Sequence, residues 1–188
     1  MIRKFYNYYL SSDRQFARSI AGIVGFTPSN LHIFIQAFSH KSAVDPKLHT
    51  VTSNERLEYL GDSVLSTIVA EYLFQKYPNS DEGFLTKMRS KIVKRKTLNR
   101  IADDMGIDVV LQENNDTRLS ESMKGNALEA LVGAIYLEKG FDVTKRIVVN
   151  KILRRHLNIQ DLEEQDDNYK SQLLEFCQKN GSEIDYRV

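Results

Sequence analysis

Cysteine occurs once in the 188 residues, at Cys177. That excludes an internal disulfide framework and a thiolate zinc site, and it fits a reducing compartment. Proline occurs three times and tryptophan not at all; so few chain breakers leave long stretches free to be helical. No run approaches the roughly 18 uninterrupted apolar residues that a membrane span needs. The opening, MIRKFYNYYL, lacks the long apolar core and small-residue cleavage site of a secretory signal. The cytoplasm is therefore the expected location. An excess of one charge is missing too: 26 Lys and Arg stand against 25 Asp and Glu, a net charge of +1. A global basic field is excluded as an argument for a polyanionic partner, so any such argument must rest on a local patch.

What remains is an ordinary globular balance, 41% apolar and 27% charged, long enough for one domain and a little more. Alternating strand pattern is absent before about residue 183, and helical spacing dominates. The first residues, 2–10, are aromatic and basic. Helices are expected over 12–24, and from Thr27-Pro28-Ser29-Asn30 onward with Leu31, Phe34, Ile35 and Phe38 buried. A polar loop covers 43–53. The next helix begins near Asn54 and stops at Lys76-Tyr77-Pro78, where proline ends it. Asn79 to Gly83 turns the chain. A basic helix then runs from Phe84 toward Arg100, and a polar loop spans 106–122 after the short apolar piece Val109-Val110-Leu111. Gly125 to Leu137 is a helix apolar nearly all round, hence central. A last amphipathic helix covers 142–157. An acidic linker follows at 161–168, then a short helix over Tyr169–Asn180 and the opening of a strand at Glu183–Val188.

The chain is organised around Asn54-Glu55-Arg56-Leu57-Glu58-Tyr59-Leu60-Gly61-Asp62. Three carboxylates at offsets of 3 and 4 fall within roughly 60° on a helix, while Leu57, Leu60, Val64, Leu65, Ile68 and Tyr72 cover a different arc. Like charges do not gather on one stripe without a partner. The apolar helix repeats the pattern: its polar exceptions, Asn126 and Glu129, share a face, with Gly133 one turn beyond. A buried carboxylate costs several kcal/mol unless paired or bound to metal. Glu58, Asp62, Asn126 and Glu129 form an all-oxygen set, which selects Mg²⁺ or Mn²⁺. In an open site that suits phosphate-ester hydrolysis. A di-iron helical protein would show Glu-x-x-His pairs, and none occurs.

Residues 84–100 carry seven Lys or Arg and no acid. Lys87, Lys91, Lys94 and Arg95 share a flank suited to a phosphate backbone, the other reading being a solvated face. Glu55 also stands three residues after Thr52, as in a capping box, and Glu82 complements a helix N-terminus. For His40 a core or supporting role is expected, since no triad partner is evident. Cys177 reads as a small apolar residue. Lys145, Arg146, Lys151, Arg154 and Arg155 read as solvent-facing.

Asn54–Leu65 resembles the signature of the ribonuclease III family, endonucleases of double-stranded RNA. Ala37-Phe38-Ser39-His40-Lys41-Ser42, Asp81-Glu82-Gly83 with Lys87-Met88-Arg89, and Gly125–Leu137 resemble further blocks of that family. Tyr169-Lys170-Ser171-Gln172-Leu173-Leu174-Glu175 resembles the opening of a double-stranded-RNA-binding domain. The resemblance implies an all-α endonuclease domain over 1–160, then the incomplete start of an α/β RNA-binding domain at 169–188. It implies a two-fold homodimer that hydrolyses duplex RNA to 5′-phosphate and 3′-hydroxyl ends, with a role in rRNA and mRNA processing. Carried over, Glu58, Asp62 and Glu129 are metal ligands, Asp62 and Glu129 are nearest the chemistry, and Glu55 and Glu82 are further acids of the cleft. Tyr59 stands where the family usually has a phenylalanine that inserts into the partner subunit. Asn126 stands where it usually has aspartate, which removes one charge from the site. About twenty residues cannot complete the RNA-binding domain, so the tail reads as a fragment or a vestige. The rival expectation is a non-catalytic duplex-RNA-binding or ribosome-associated member of the same fold.

Overall fold

Helices form wherever apolar residues recur at three- and four-residue spacing, and the described residues contain no strand. The computed structural model describes residues 2–39, 53–114, 120–164, 176–177 and 179–181. In order these form α1 (Ile2–Tyr9), α2 (Arg14–Val24), α3 (Leu31–Ala37), α4 (Glu55–Lys76), α5 (Glu82–Val93), α6 (Arg95–Asp104), α7 (Ile107–Asn114), α8 (Glu121–Lys139) and α9 (Phe141–Ile147). A π-helical turn at Val148–Leu153 leads into α10 (Arg154–His156), and α11 (Ile159–Glu164) follows. The chain divides into two units, residues 1–157 and 158–188.

Helix ends follow local chemistry. Gly25, at φ +84°, closes α2 and donates its N–H to the Ala21 carbonyl, a conformation that suits glycine. Asp81 caps α5, accepting the Phe84 N–H at 2.8 Å. Tyr77-Pro78 stops α4 as expected.

The centre of the first unit is the crossing of α4 and α8. Leu57, Val64, Leu65, Ile68, Val69 and Leu73 of α4 are buried, as are Ala127, Leu128, Ala130, Leu131, Val132, Ala134 and Ile135 of α8. The crossing is very close. A Cβ on Gly61 would lie 1.7 Å from the Glu129 carbonyl oxygen, and one on Gly133 would lie 2.4 Å from the Leu57 carbonyl oxygen. Only glycine lets the two backbones meet there. Phe34, Phe38 and Ile20 fill one flank of the core, Ile92 and Ile101 another.

Several expectations change. The basic run is not one helix: at Lys94 (φ −59°, ψ 135°) the backbone turns extended, and α6 starts afresh at Arg95. Neither proline nor glycine marks that break. Residues 107–114 are helical rather than loop, because Ile107, Val110 and Leu111 bury one short stripe. The apolar helix starts a turn earlier than expected, at Glu121, and the 142–157 stretch is interrupted by the π turn. Residues 161–164, expected in a linker, belong to α11. Ile35 is only half-buried. His40, Thr52, the helix proposed over most of 169–180 and the strand at 183–188 lie outside the described residues.

Candidate active site

The first unit brings its acids together at the α4–α8 crossing. Asn54 is buried and starts α4. Its N–H donates to the Ser39 carbonyl at 3.0 Å and its Nδ2 to the Ala37 carbonyl at 3.5 Å, which ties the helix start to the end of α3. From there Glu55, Glu58 and Asp62 face one side. Because Gly61 lets the α8 backbone rest on α4 at Glu129, that carboxylate is placed beside Asp62. The sequence spacing on each helix made two polar stripes, one of three acids and one of Asn126 and Glu129; the glycine contact makes them one site.

The result is a hollow of about 570 Å³ lined by Asn54, Glu55, Glu58, Tyr59, Asp62, Arg95, Asn126 and Glu129. All four expected oxygen donors are in its wall. Burial pushes the Glu129 carboxyl up from its ordinary value of 4.5 to about 7; the charges of Asp62 and then Glu58 add to the rise, and Arg95 opposes it. At neutral pH Glu129 is therefore poised between holding and releasing a proton. Among the described residues, no trio of Asp, Glu, His or Cys side chains is drawn closely enough together to hold a metal ion. The donor chemistry nonetheless fits a hard divalent cation, since the lining holds neither imidazole nor thiol.

Arg95 does not share a flank with Lys87, Lys91 and Lys94, as one continuous helix would require. The break at Lys94 instead sends it across to α8, where Nη1 donates to the Asn126 side-chain oxygen and, at 3.4 Å, to the Ser122 carbonyl. One turn on, buried Asn99 was not singled out at all. Its Oδ1 accepts the Gly125 N–H at 2.9 Å, and a Cβ on Gly125 would stand 2.7 Å from that oxygen. The four-residue spacing of Arg95 and Asn99 puts them on one face of α6, but nothing in the sequence sets that face against Gly125.

The other expected residues are placed as follows. Glu55 is exposed and accepts from the Ser53 hydroxyl at 3.1 Å. Tyr59 stands on the rim, 79% exposed. Glu82 does not line this hollow. It opens α5, accepts from Thr86 Oγ1 at 2.8 Å, and lies in a separate depression against Glu71 and Phe74 of α4. Lys87 and Lys94 are exposed and Lys91 half-buried along α5 and its end.

An all-helical domain that sets oxygen donors around an open hollow, at the crossing of its two longest helices, has the architecture of a nuclease of the acidic kind. The comparisons are specific. Residues 30–156 match the family model described as Ribonuclease-III-like. The Ribonuclease 3 of Zunongwangia profunda is 39% identical over all of this chain and 78% of its own length. That of Bacteroides thetaiotaomicron is 38% identical over 94% of this chain and 57% of its own. The nuclease domain of ribonuclease III from Campylobacter jejuni superposes with a TM-score of 0.63 at 32% identity, over 73% of this chain and 93% of that domain. A second structure of that domain is described as showing flexibility in a region involved in dimer formation. The chain belongs to the ribonuclease III family.

Proposed function

We propose that this chain is an endoribonuclease that hydrolyses phosphodiester bonds of double-stranded RNA, leaving 5′-phosphate and 3′-hydroxyl ends, and that it serves rRNA and mRNA processing. The observation that carries the reading is the meeting of Glu58, Asp62 and Glu129 in one hollow, on a chain of this family. The carboxylates of Glu58, Asp62 and Glu129 would hold Mg²⁺ or Mn²⁺, with Asn126 lending its amide oxygen where Arg95 gives it up. When bound there, such an ion supplies a water of lowered pKa and a charge opposite the phosphoryl oxygens. Glu129 can take or release a proton at neutral pH beside the reacting phosphate. Arg95 presents a fixed cation to the same hollow, where it faces developing negative charge.

Substrate recognition rests on less specific features. Lys87, Lys91 and Lys94 would meet phosphates along α5, and the A-form shape with its 2′-hydroxyls would distinguish RNA from DNA. The exposed ring of Tyr59 is large, rigid and at the rim of the hollow, which suits insertion into a second copy in a two-fold homodimer. The relatives of greater length than this chain, and the resemblance from Tyr169 onward, support a start of an RNA-binding domain in the second unit.

The test is cleavage of a long perfect RNA duplex, with Mg²⁺ or Mn²⁺, by the parent, by Glu129→Ala and by Asn126→Asp. The parent is expected to cut to 5′-phosphate products and Glu129→Ala to lose at least about a hundredfold in rate. Asn126→Asp is expected to lower the Mg²⁺ needed for half-maximal cutting. Parent protein that binds duplex without cutting it, in either metal, would favour the non-catalytic reading.

A further inference from the structure

We infer that a second hollow, on the far half of α4, is a binding site for a ligand carrying several adjacent phosphates. It is lined by Tyr72, Gln75 and Lys76 of α4 and by Lys145, Arg146, Val149, Asn150 and Arg154 of the α9–π–α10 segment, and encloses about 630 Å³. Four of those side chains are cationic and none is acidic. Lys145 is neutralised by Glu71 beside it. Lys76 lies over the Tyr77 ring, and Arg154 donates to the Asn150 side-chain oxygen at 3.0 Å. Among the described residues neither Lys76, Arg146 nor Arg154 has a carboxylate partner. Three unneutralised cations around one concave space repel each other, and an oligophosphate relieves that repulsion.

The backbone builds this arrangement. In the π turn the Arg154 N–H donates to the Val149 carbonyl, five residues back, so the wider winding carries Asn150 and Arg154 onto the wall that Lys145 and Arg146 begin. Such turns are uncommon and collect at functional positions. Half-buried Tyr72 adds an aromatic side chain to the lining, and Gln75 and Asn150 add amides whose N–H groups can donate to phosphate oxygens. Lys76 follows Glu58 by 18 residues, five full turns, so the two lie on one stripe of α4, about 27 Å apart. That is less than one turn of a nucleic-acid duplex.

Two sources share this chemistry, the RNA backbone and a free nucleoside polyphosphate. The probes are inorganic tripolyphosphate and a duplex RNA, titrated by calorimetry in metal-free buffer against the full chain. The variants are the double substitution Arg146→Ala with Arg154→Ala, and Arg155→Ala as a control on the same segment outside the hollow; thermal melts establish that each is folded. Tripolyphosphate is expected to bind the parent and to bind the double variant about tenfold or more weakly. If RNA is the source, the double variant also weakens the duplex and lowers the salt slope of its binding by about 2. If the source is a free polyphosphate, duplex affinity stays at the parent's value. Unchanged binding of both probes, or equal losses with Arg155→Ala, overturns the proposal.

Discussion

Glu129 carries the clearest pH signature of any residue described. Its carboxyl is held near 7 in the fold against 4.5 ordinarily. A folded pKa above the unfolded one means that the fold favours the protonated form. The stability this lends is full below about pH 4.5 and is lost as pH rises through about 7. In metal-free buffer, the urea midpoint of the parent should fall between pH 5.5 and 8, and Glu129→Gln should flatten that fall. A cation bound by the ionised carboxylate must displace the proton, so Mg²⁺ binding should tighten over the same interval and release protons. Calorimetry in two buffers of different ionisation heat reads that release directly; none at pH 6.5 would contradict the assignment. Arg95 belongs to the same balance, because its charge keeps Glu129 from rising further.

The α4–α8 crossing makes the sharpest prediction at the scale of elements. An alanine in place of glycine within a helix ordinarily gains about 1 kcal/mol. At Gly61 the new Cβ would sit 1.7 Å from a backbone oxygen that no side-chain rotation can move. Gly61→Ala should therefore cost about 3 kcal/mol or more net, seen as a lowered urea midpoint. The cleavage rate of the surviving folded protein should fall too, because Glu129 moves with its backbone. Much of this was legible beforehand. Acids at 55, 58 and 62, and polar exceptions at 126 and 129, stood out because charges on one stripe and a carboxylate in an apolar helix both demand a reason. Gly133 stands one turn beyond on the same face, and the space its missing side chain leaves is filled by the α4 backbone. The kink at Lys94 was not legible, since an extended ψ at a lysine has no compositional mark. Everything depending on it, Arg95 in the hollow above all, was missed. The buried stripe of α7 was too short for periodicity to separate it from a loop.

For the whole molecule, the first unit carries the family's fold, while the short helix and strand expected over 169–188 lie mostly outside the described residues. Association is testable on the chain as it stands. Tyr59 exposes 79% of its surface beside the hollow, where its ring is open to contact with a second copy. Light scattering should give a dimer for the parent and a shift toward monomer for Tyr59→Ala; a monomeric parent would remove the homodimer, and a variant dimer of equal mass would remove the role of the ring.

The glycine crossing also decides how this molecule wears out. The acids sit on the two helices buried most deeply, whereas α1 buries none of its residues. Local openings begin where burial is least, so the periphery can fray repeatedly while the reacting groups keep their places. Damage that reaches them has already taken the core. A heated population should therefore hold intact molecules and unfolded ones, with few that keep the shape and lack the chemistry.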